Sequence, residues 1–225
     1  MEKLKPDTSY HIFNHANGFE NVFSEDDNFR YFLEKYRVHI SPIAETYAYC
    51  LMPNHFHLVV RIRKREVIEK LILSNNFSKN NLSKVLNFGK VDGKEIDREK
   101  VETNEVIEKF LSKQFANLFS CYTQSFNKVY NRMGSLFIKN FKRDVILDKA
   151  HFLNTIMYTH RNPVHHGFCK EYSDWGYCSY FEVVDGKSTI VEVEKLIKTF
   201  GGKIEFINLH KKYLGKFHQS LELEV

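Results

Sequence analysis

AYCLMPNHFHLVVRIRKR, Ala48 to Arg65, combines a run with the composition of a buried strand, a Pro-Asn pair and two histidines set two apart. Ahead of it, ETYAYCLM (45–52) is β-branched and aromatic and suits a strand, and behind it FHLVVRI (56–62) suits another. The Pro53-Asn54 turn between them is too short for anything but an antiparallel hairpin, so His55 and His57 stand at the mouth of its second arm. Side chains two apart on a strand share a face, so both imidazoles project together while Phe56 points the other way. Two readings follow from the spacing: a bidentate pair for a metal ion, or two polar residues that face water. A pair of imidazoles holds a metal poorly, so the first reading needs a third ligand from elsewhere.

Working outward, YHIFNHA (10–16) reads as a first strand, and Asp26 to Ile40 as a helix closed by Pro42. Arg65 to Ser74 is helical in pattern. Residues 75–100 are polar, rich in Asn and Lys, and read as an insertion with at most a short hairpin. Asn104 to Asn131 restores an apolar period near 3.6 and predicts a long helix ending at Gly134. Gly134 to Ile146 reads as a strand, and Asp148 to Arg161 as a helix stopped before Pro163. An aromatic loop follows Cys169, then helical pieces at 191–200 and 203–218. The order predicts an α+β fold, a ferredoxin-like or split βαβ antiparallel sheet with helices packed on one face, plus the mid-chain insertion. The expected domain spans 1–186, with a helical C-terminal extension over 187–225.

On the helix beginning at His151, Thr155, Tyr158 and Asn162 fall in one stripe with His151. Docked over the hairpin mouth, Asn162 brings an amide oxygen to the imidazoles and Tyr158 a hydroxyl one turn away. The alternative is a core tyrosine and an asparagine that ends a helix before proline.

Composition sets bounds on the chemistry. The 225 residues are 43% hydrophobic and carry 20 Phe and 12 Tyr against 4 Pro, which favours regular elements around a real core. A formal charge of +5 permits a polyanionic partner. Arg61, Arg63, Lys64 and Arg65 follow the histidine strand, and Lys139, Lys142 and Arg143 interleave with Phe137 and Phe141. Such cations suit a single-stranded nucleic-acid track, and equally a charged sheet edge. Trp175, Tyr177 and Tyr180 are candidates for base stacking, with two of the three expected in the core. Four scattered cysteines without a C-x-x-C pair argue against a zinc ribbon or disulfide framework. No segment approaches the roughly 20 apolar residues of a membrane span. A cytoplasmic protein with no membrane partner is expected.

CLMPNHFHLVV, YTHRNPVHHG and WGYCSY, with SYHIFNHANGFENVF and YNRMGSLFIKNFKRDVI, resemble the motifs of the single-tyrosine (HUH) transposase superfamily, in its branch of REP-associated tyrosine transposases. The resemblance runs from Tyr10 to Tyr180. It implies that His55, His57 and Asn162 hold Mg²⁺ or Mn²⁺, that Tyr158 is the nucleophile, and that the substrate is single-stranded DNA near a hairpin. It further implies cleavage and rejoining through a 5′-phosphotyrosine, by a monomer or by a homodimer that exchanges the tyrosine helix. Where many relatives read Asn-Pro-Val-Arg-Ala-Gly, this chain has Asn-Pro-Val-His-His-Gly, Asn162 to Gly167. Two other functions remain in view: a hairpin-DNA binder without strand transfer, and a replication or mobilisation nickase of the same chemistry. The latter usually carries further domains, for which 225 residues leave no room.

Overall fold

The computed structural model describes residues 2–74 and 103–222, with 216–222 as backbone alone. The expected insertion at 75–100 lies outside the described residues. Four strands, β1 (Ser9–His15), β2 (Ala44–Met52), β3 (His55–Ile62) and β4 (Lys142–Val145), form one sheet in the order β2-β3-β1-β4. Every neighbouring pair is antiparallel. With α1 (Asp26–His39) between β1 and β2, and α2 (Arg65–Leu73) and α3 (Asn104–Val129) between β3 and β4, this is the ferredoxin-like order expected of the sequence.

The helices cover both faces of that sheet, where the sequence suggested one. Phe56 on β3 meets Phe32 of α1 and Phe119 of α3, with ring centroids 5.4 and 5.6 Å away, and Tyr36 of α1 shares a hydrogen bond with Thr46 of β2. The opposite face, bearing His57 and Tyr47, is closed by α4 (Lys149–His165), whose Phe152 packs edge-on against Tyr47. The cause is visible in β3 itself, a continuous apolar run buried on both sides, where only Arg61 is exposed.

Two boundaries differ from the sequence reading. The expected strand over Gly134–Ile146 narrows to Lys142–Val145, because Asn140 adopts a left-handed conformation (φ 63°) that bends the chain. The bend lets Phe137 and Phe141 both reach α3, against Phe119 and Phe115. Helix α4 runs through Pro163 to His165. In its last turn Pro163 forfeits one main-chain bond, to the Thr159 carbonyl. The stop is Gly167, left-handed at φ 72°, beyond which the Phe168 N–H returns to the Pro163 carbonyl at 2.9 Å.

Behind α4 lie a 3₁₀ turn (Tyr172–Asp174), α5 (Tyr180–Asp185), α6 (Val193–Phe200) and α7 (Lys203–Glu222). A chain of hydrogen bonds joins them. His210 on α7 donates from Nδ1 to its own helix at the Phe206 carbonyl (2.8 Å). Its Nε2 therefore accepts from Nδ1 of His160 on α4 (2.9 Å), and Nε2 of His160 pairs with the Ser179 hydroxyl (2.9 Å). Trp175, Tyr177 and Tyr180 are all half-buried, each against a different neighbour. Trp175 bonds the Leu51 carbonyl, Tyr177 stacks on Phe29, and Tyr180 stacks on Tyr172.

Burial pushes His210 down to about 4, and protonation at Nε2 would set two N–H groups against each other. A histidine whose folded pKa lies below its unfolded value near 6.5 stabilises the fold above that value and loses its contribution as pH falls toward about 4. Denaturant titrations between pH 7 and 4 are expected to show a shallower pH dependence for His210→Gln than for the unaltered chain, by roughly 1 kcal/mol per pH unit in that window. Identical slopes would show that His210 is not held neutral in the fold.

Candidate functional site

The antiparallel pairing of β1 with β3 sets His15 opposite His55 and Phe13 opposite His57. His11, Phe13 and His15 share the α4-facing side of β1 with period two, and His55 and His57 share it on β3. The imidazoles of His55 and His57 stand 5.3 Å apart between centroids, nearly perpendicular. His15 stacks on His55 at 4.7 Å, and His11 lies 2.9 Å from His57 between Nε2 and Nδ1.

The Pro53-Asn54 turn does more than connect the strands. Its Pro53 carbonyl accepts from the Val22 and Phe23 N–H groups, and its Asn54 carbonyl from Ala16. The Asn54 side-chain oxygen sits 2.7 Å from Nδ1 of His55. A carbonyl oxygen can only accept, so the His55 proton is on Nδ1 and its Nε2 carries a lone pair.

Helix α4 lays Tyr158 over this cluster, edge-on to His57 and His11 with centroids 5.7 and 5.9 Å apart. Asn162, one turn on, is fully buried. Its Nδ2 donates to the Tyr158 carbonyl, but its Oδ1 has no hydrogen-bond partner. That oxygen lies near enough to His55 to favour its protonated form slightly, without ordinary hydrogen-bond geometry. The Arg161 guanidinium lies 5.9 Å from the Tyr158 ring centre and 4.8 Å from that of Tyr213 on α7.

Burial dominates the electrostatics. It pulls His55 down to about 4, helped by His15 and His166 and opposed by Asn162. It pulls His57 well below the ordinary imidazole value, helped by His11 and His55. His11 is held at about 4 by burial, against the opposing charge of Asp144. At neutral pH these rings are uncharged and present lone pairs. Among the described residues no three His, Cys, Asp or Glu side chains group as a metal site, so a metal on this pair of imidazoles would draw on a donor of another kind, such as an amide oxygen. The orphaned Oδ1 of Asn162 is such a donor, and the set of two neutral imidazoles and one amide oxygen fits a divalent ion.

Of the residues singled out from sequence, His55, His57, Tyr158 and Asn162 come together. Of the basic residues, only Lys142 is both on their face of the sheet and near them. Arg61 pairs with Asp7, Arg63 with the Ser41 carbonyl and Glu45, and Arg65 with Glu69, at the end of β3 far from His55; Lys64 adjoins them. Arg143 lies over Phe141 on the α3 side. Lys142, opposite Phe13, faces the histidines, and Lys139 lies in the bend beside it. Sequence reasoning missed His11, His15 and His166. The period-two His-x-Phe-x-His of β1 was the available signal. His166, in the departure from Asn-Pro-Val-Arg-Ala-Gly, sits 4.9 Å from His55.

No family model and no curated protein matches the chain. A solved structure described as a REP-associated tyrosine transposase bound to a REP hairpin is similar to it at 16% identity, over 84% of this chain and 87% of that one, with a TM-score of 0.49. No helix among the described residues is long and apolar enough to cross a membrane.

A buried amide oxygen without a partner costs stability, on the order of 1–3 kcal/mol. Asn162→Leu, of similar size and better helix propensity, is therefore expected to leave the metal-free protein as stable as before or up to ~1 kcal/mol more stable in chemical denaturation. A loss above ~2 kcal/mol would make Asn162 a structural residue.

Proposed function

We propose that this protein cleaves and rejoins single-stranded DNA beside a hairpin, with Tyr158 as nucleophile. The observation that carries the reading is the approach of the Tyr158 ring to His57 over a fully buried Asn162 whose side-chain oxygen lacks a partner. The order of the motifs Met-Pro-Asn-His-Phe-His and Tyr-Thr-His-Arg-Asn-Pro-Val supports it, as does the resemblance they carry.

In this reading Tyr158 Oη attacks phosphorus as the phenol loses its proton. The bond to the 3′-oxygen breaks, the 3′-OH departs, and the phosphate remains on the tyrosine through its 5′ side. The energy of the cleaved phosphodiester stays in the phosphotyrosine, so a 3′-OH can attack it, restore the phenol and join strands. Water in the same position would make the protein a nuclease.

A phenol that keeps its proton is a weak nucleophile, so the phosphate has to be made electrophilic. His55, His57 and Asn162 would hold Mg²⁺ or Mn²⁺, which supplies charge neutralisation at the phosphate and at the departing oxygen. Neutral imidazoles alone favour the softer of the two. Around that group the chain's own residues orient and exclude. Asn54 fixes the His55 ring, and α4 fixes the phenol. Arg161 places a cation by the phenol, where negative charge develops. Lys142 offers a phosphate contact on the same face.

The test uses hairpin oligonucleotides labelled at the 5′ or the 3′ end, incubated with the protein and Mn²⁺. The expected product is a covalent protein–DNA adduct carrying the 3′-side label, together with a released 5′-labelled strand. Tyr158→Phe is expected to abolish the adduct and spare DNA binding. Hairpin binding without any adduct would favour a DNA binder, and an adduct persisting in Tyr158→Phe would remove this tyrosine from the chemistry.

A further inference from the structure

We propose that His11 is a positioning residue for His57, dictating which of its ring nitrogens carries the proton, and that Asp144 tips that choice. The inference rests on the proposed use of His57 as a donor. Nε2 of His11 and Nδ1 of His57 are 2.9 Å apart, and the rings are inclined by only 15°. Two neutral imidazoles at that separation share one proton, in one of two arrangements.

In the first, His57 donates from Nδ1 to Nε2 of His11. The Nε2 of His57 then bears a lone pair, and the proton of His11 sits on Nδ1. In the second, His11 donates from Nε2, the proton of His57 moves to its own Nε2, and the lone pair it would offer a ligand is gone. The sheet distinguishes the two. Strand β1 lies between β3 and β4, so His57 flanks His11 on one side and Asp144, its direct partner on β4, flanks it on the other.

Directly across from His11 in the antiparallel pairing, Asp144 is on the same face of the sheet and places a carboxylate on the side of His11 away from His57. A carboxylate accepts and does not donate, so it favours an N–H at the His11 nitrogen that His57 does not occupy. That is the first arrangement. Asp144 is exposed, and solvent screens part of its effect. The ring-to-ring bond therefore sets the geometry, and the carboxylate supplies the bias.

His55 reaches the same state by another route, through the Asn54 side-chain oxygen. Both histidines of the pair thus have Nδ1 engaged by a neighbour and Nε2 left open. Two independent devices with one outcome are what a pair of donors requires.

The test is made on metal-free protein with ¹⁵N-labelled imidazoles, whose long-range ¹H–¹⁵N couplings report the protonated nitrogen, and on Mn²⁺ affinity by titration. His57 is expected to carry its proton on Nδ1. His11→Leu is expected to leave His57 a mixture of tautomers and to weaken Mn²⁺ binding roughly tenfold or more. His11→Gln, whose amide oxygen accepts from Nδ1, restores both. Asp144→Asn, on the exposed side of β4, shifts the His57 population toward Nε2–H and lowers affinity a few-fold, and decides the matter if His11→Leu does not fold.

A wild-type His57 protonated at Nε2 would overturn the proposal. So would an unchanged tautomer and Mn²⁺ affinity in His11→Leu or, should that variant not fold, in Asp144→Asn. If no DNA adduct forms while the tautomers respond as described, the strand-transfer reading fails and this inference stands.

Discussion

The pairing register of β1 with β3 is the constraint on which the candidate site depends. Because strand side chains alternate, a slip by one residue would turn His11, Phe13 and His15 toward α1 and α3, and bring Ile12 and Asn14 under Tyr158. The register is held from the other face. Ile12 and Leu58 pair directly across the strands, next to Tyr10 with Val60, and all four are fully buried. The phenylalanine-rich core under α1 and α3 thus fixes the histidine geometry on the opposite side. Its aromatic content is a requirement of the polar face as much as of stability.

The second constraint is the depth at which α4 rides over the sheet. The helix is clamped from two sides, with Phe152 against Tyr47 below and the Ser179–His160–His210 chain behind. Tyr213 on the same C-terminal helix as His210 meets Arg161, which also lies by Tyr158. The extension therefore braces the tyrosine helix through adjacent residues, His160 and Arg161. Hydrogen-bonded histidines in a dry interior have definite donors and acceptors, which fixes the helix in rotation as well as position.

How much of this could be read from sequence follows from the range of each interaction. The hairpin, the long helix at 104–129 and the tyrosine helix were legible because periodicity and turn chemistry are local. Pro163 misled because a proline in a helix's last turn costs a single hydrogen bond, so Gly167 sets the end. The bend at Asn140 was hidden because a left-handed asparagine looks like any other in a strand-like run. The convergence of His55 with Asn162 was readable only through motif order, whereas His11, His15 and His166 join the cluster through register and helix docking. The cations at 61–65 looked like a track because they adjoin the histidines in sequence; along an extended strand, six residues carry Arg61 roughly 20 Å from His55.

The electrostatic character of the cluster follows from these placements together. Several imidazoles gathered in a half-buried space cannot all be charged, and burial plus mutual repulsion holds them neutral. A carboxylate beside His57 would have reversed that, pinning a proton on the ring and cancelling positive charge brought by any cation. Among the described residues, the acid that acts on the cluster, Asp144, is instead one strand removed, exposed, and separated from His57 by His11. At that distance it can orient a proton without neutralising the face. In the proposed reading, an uncharged donor set of histidine and asparagine would leave the charge of a divalent ion undiminished for an incoming phosphate, where aspartate or glutamate would bind the metal more tightly and offset that charge.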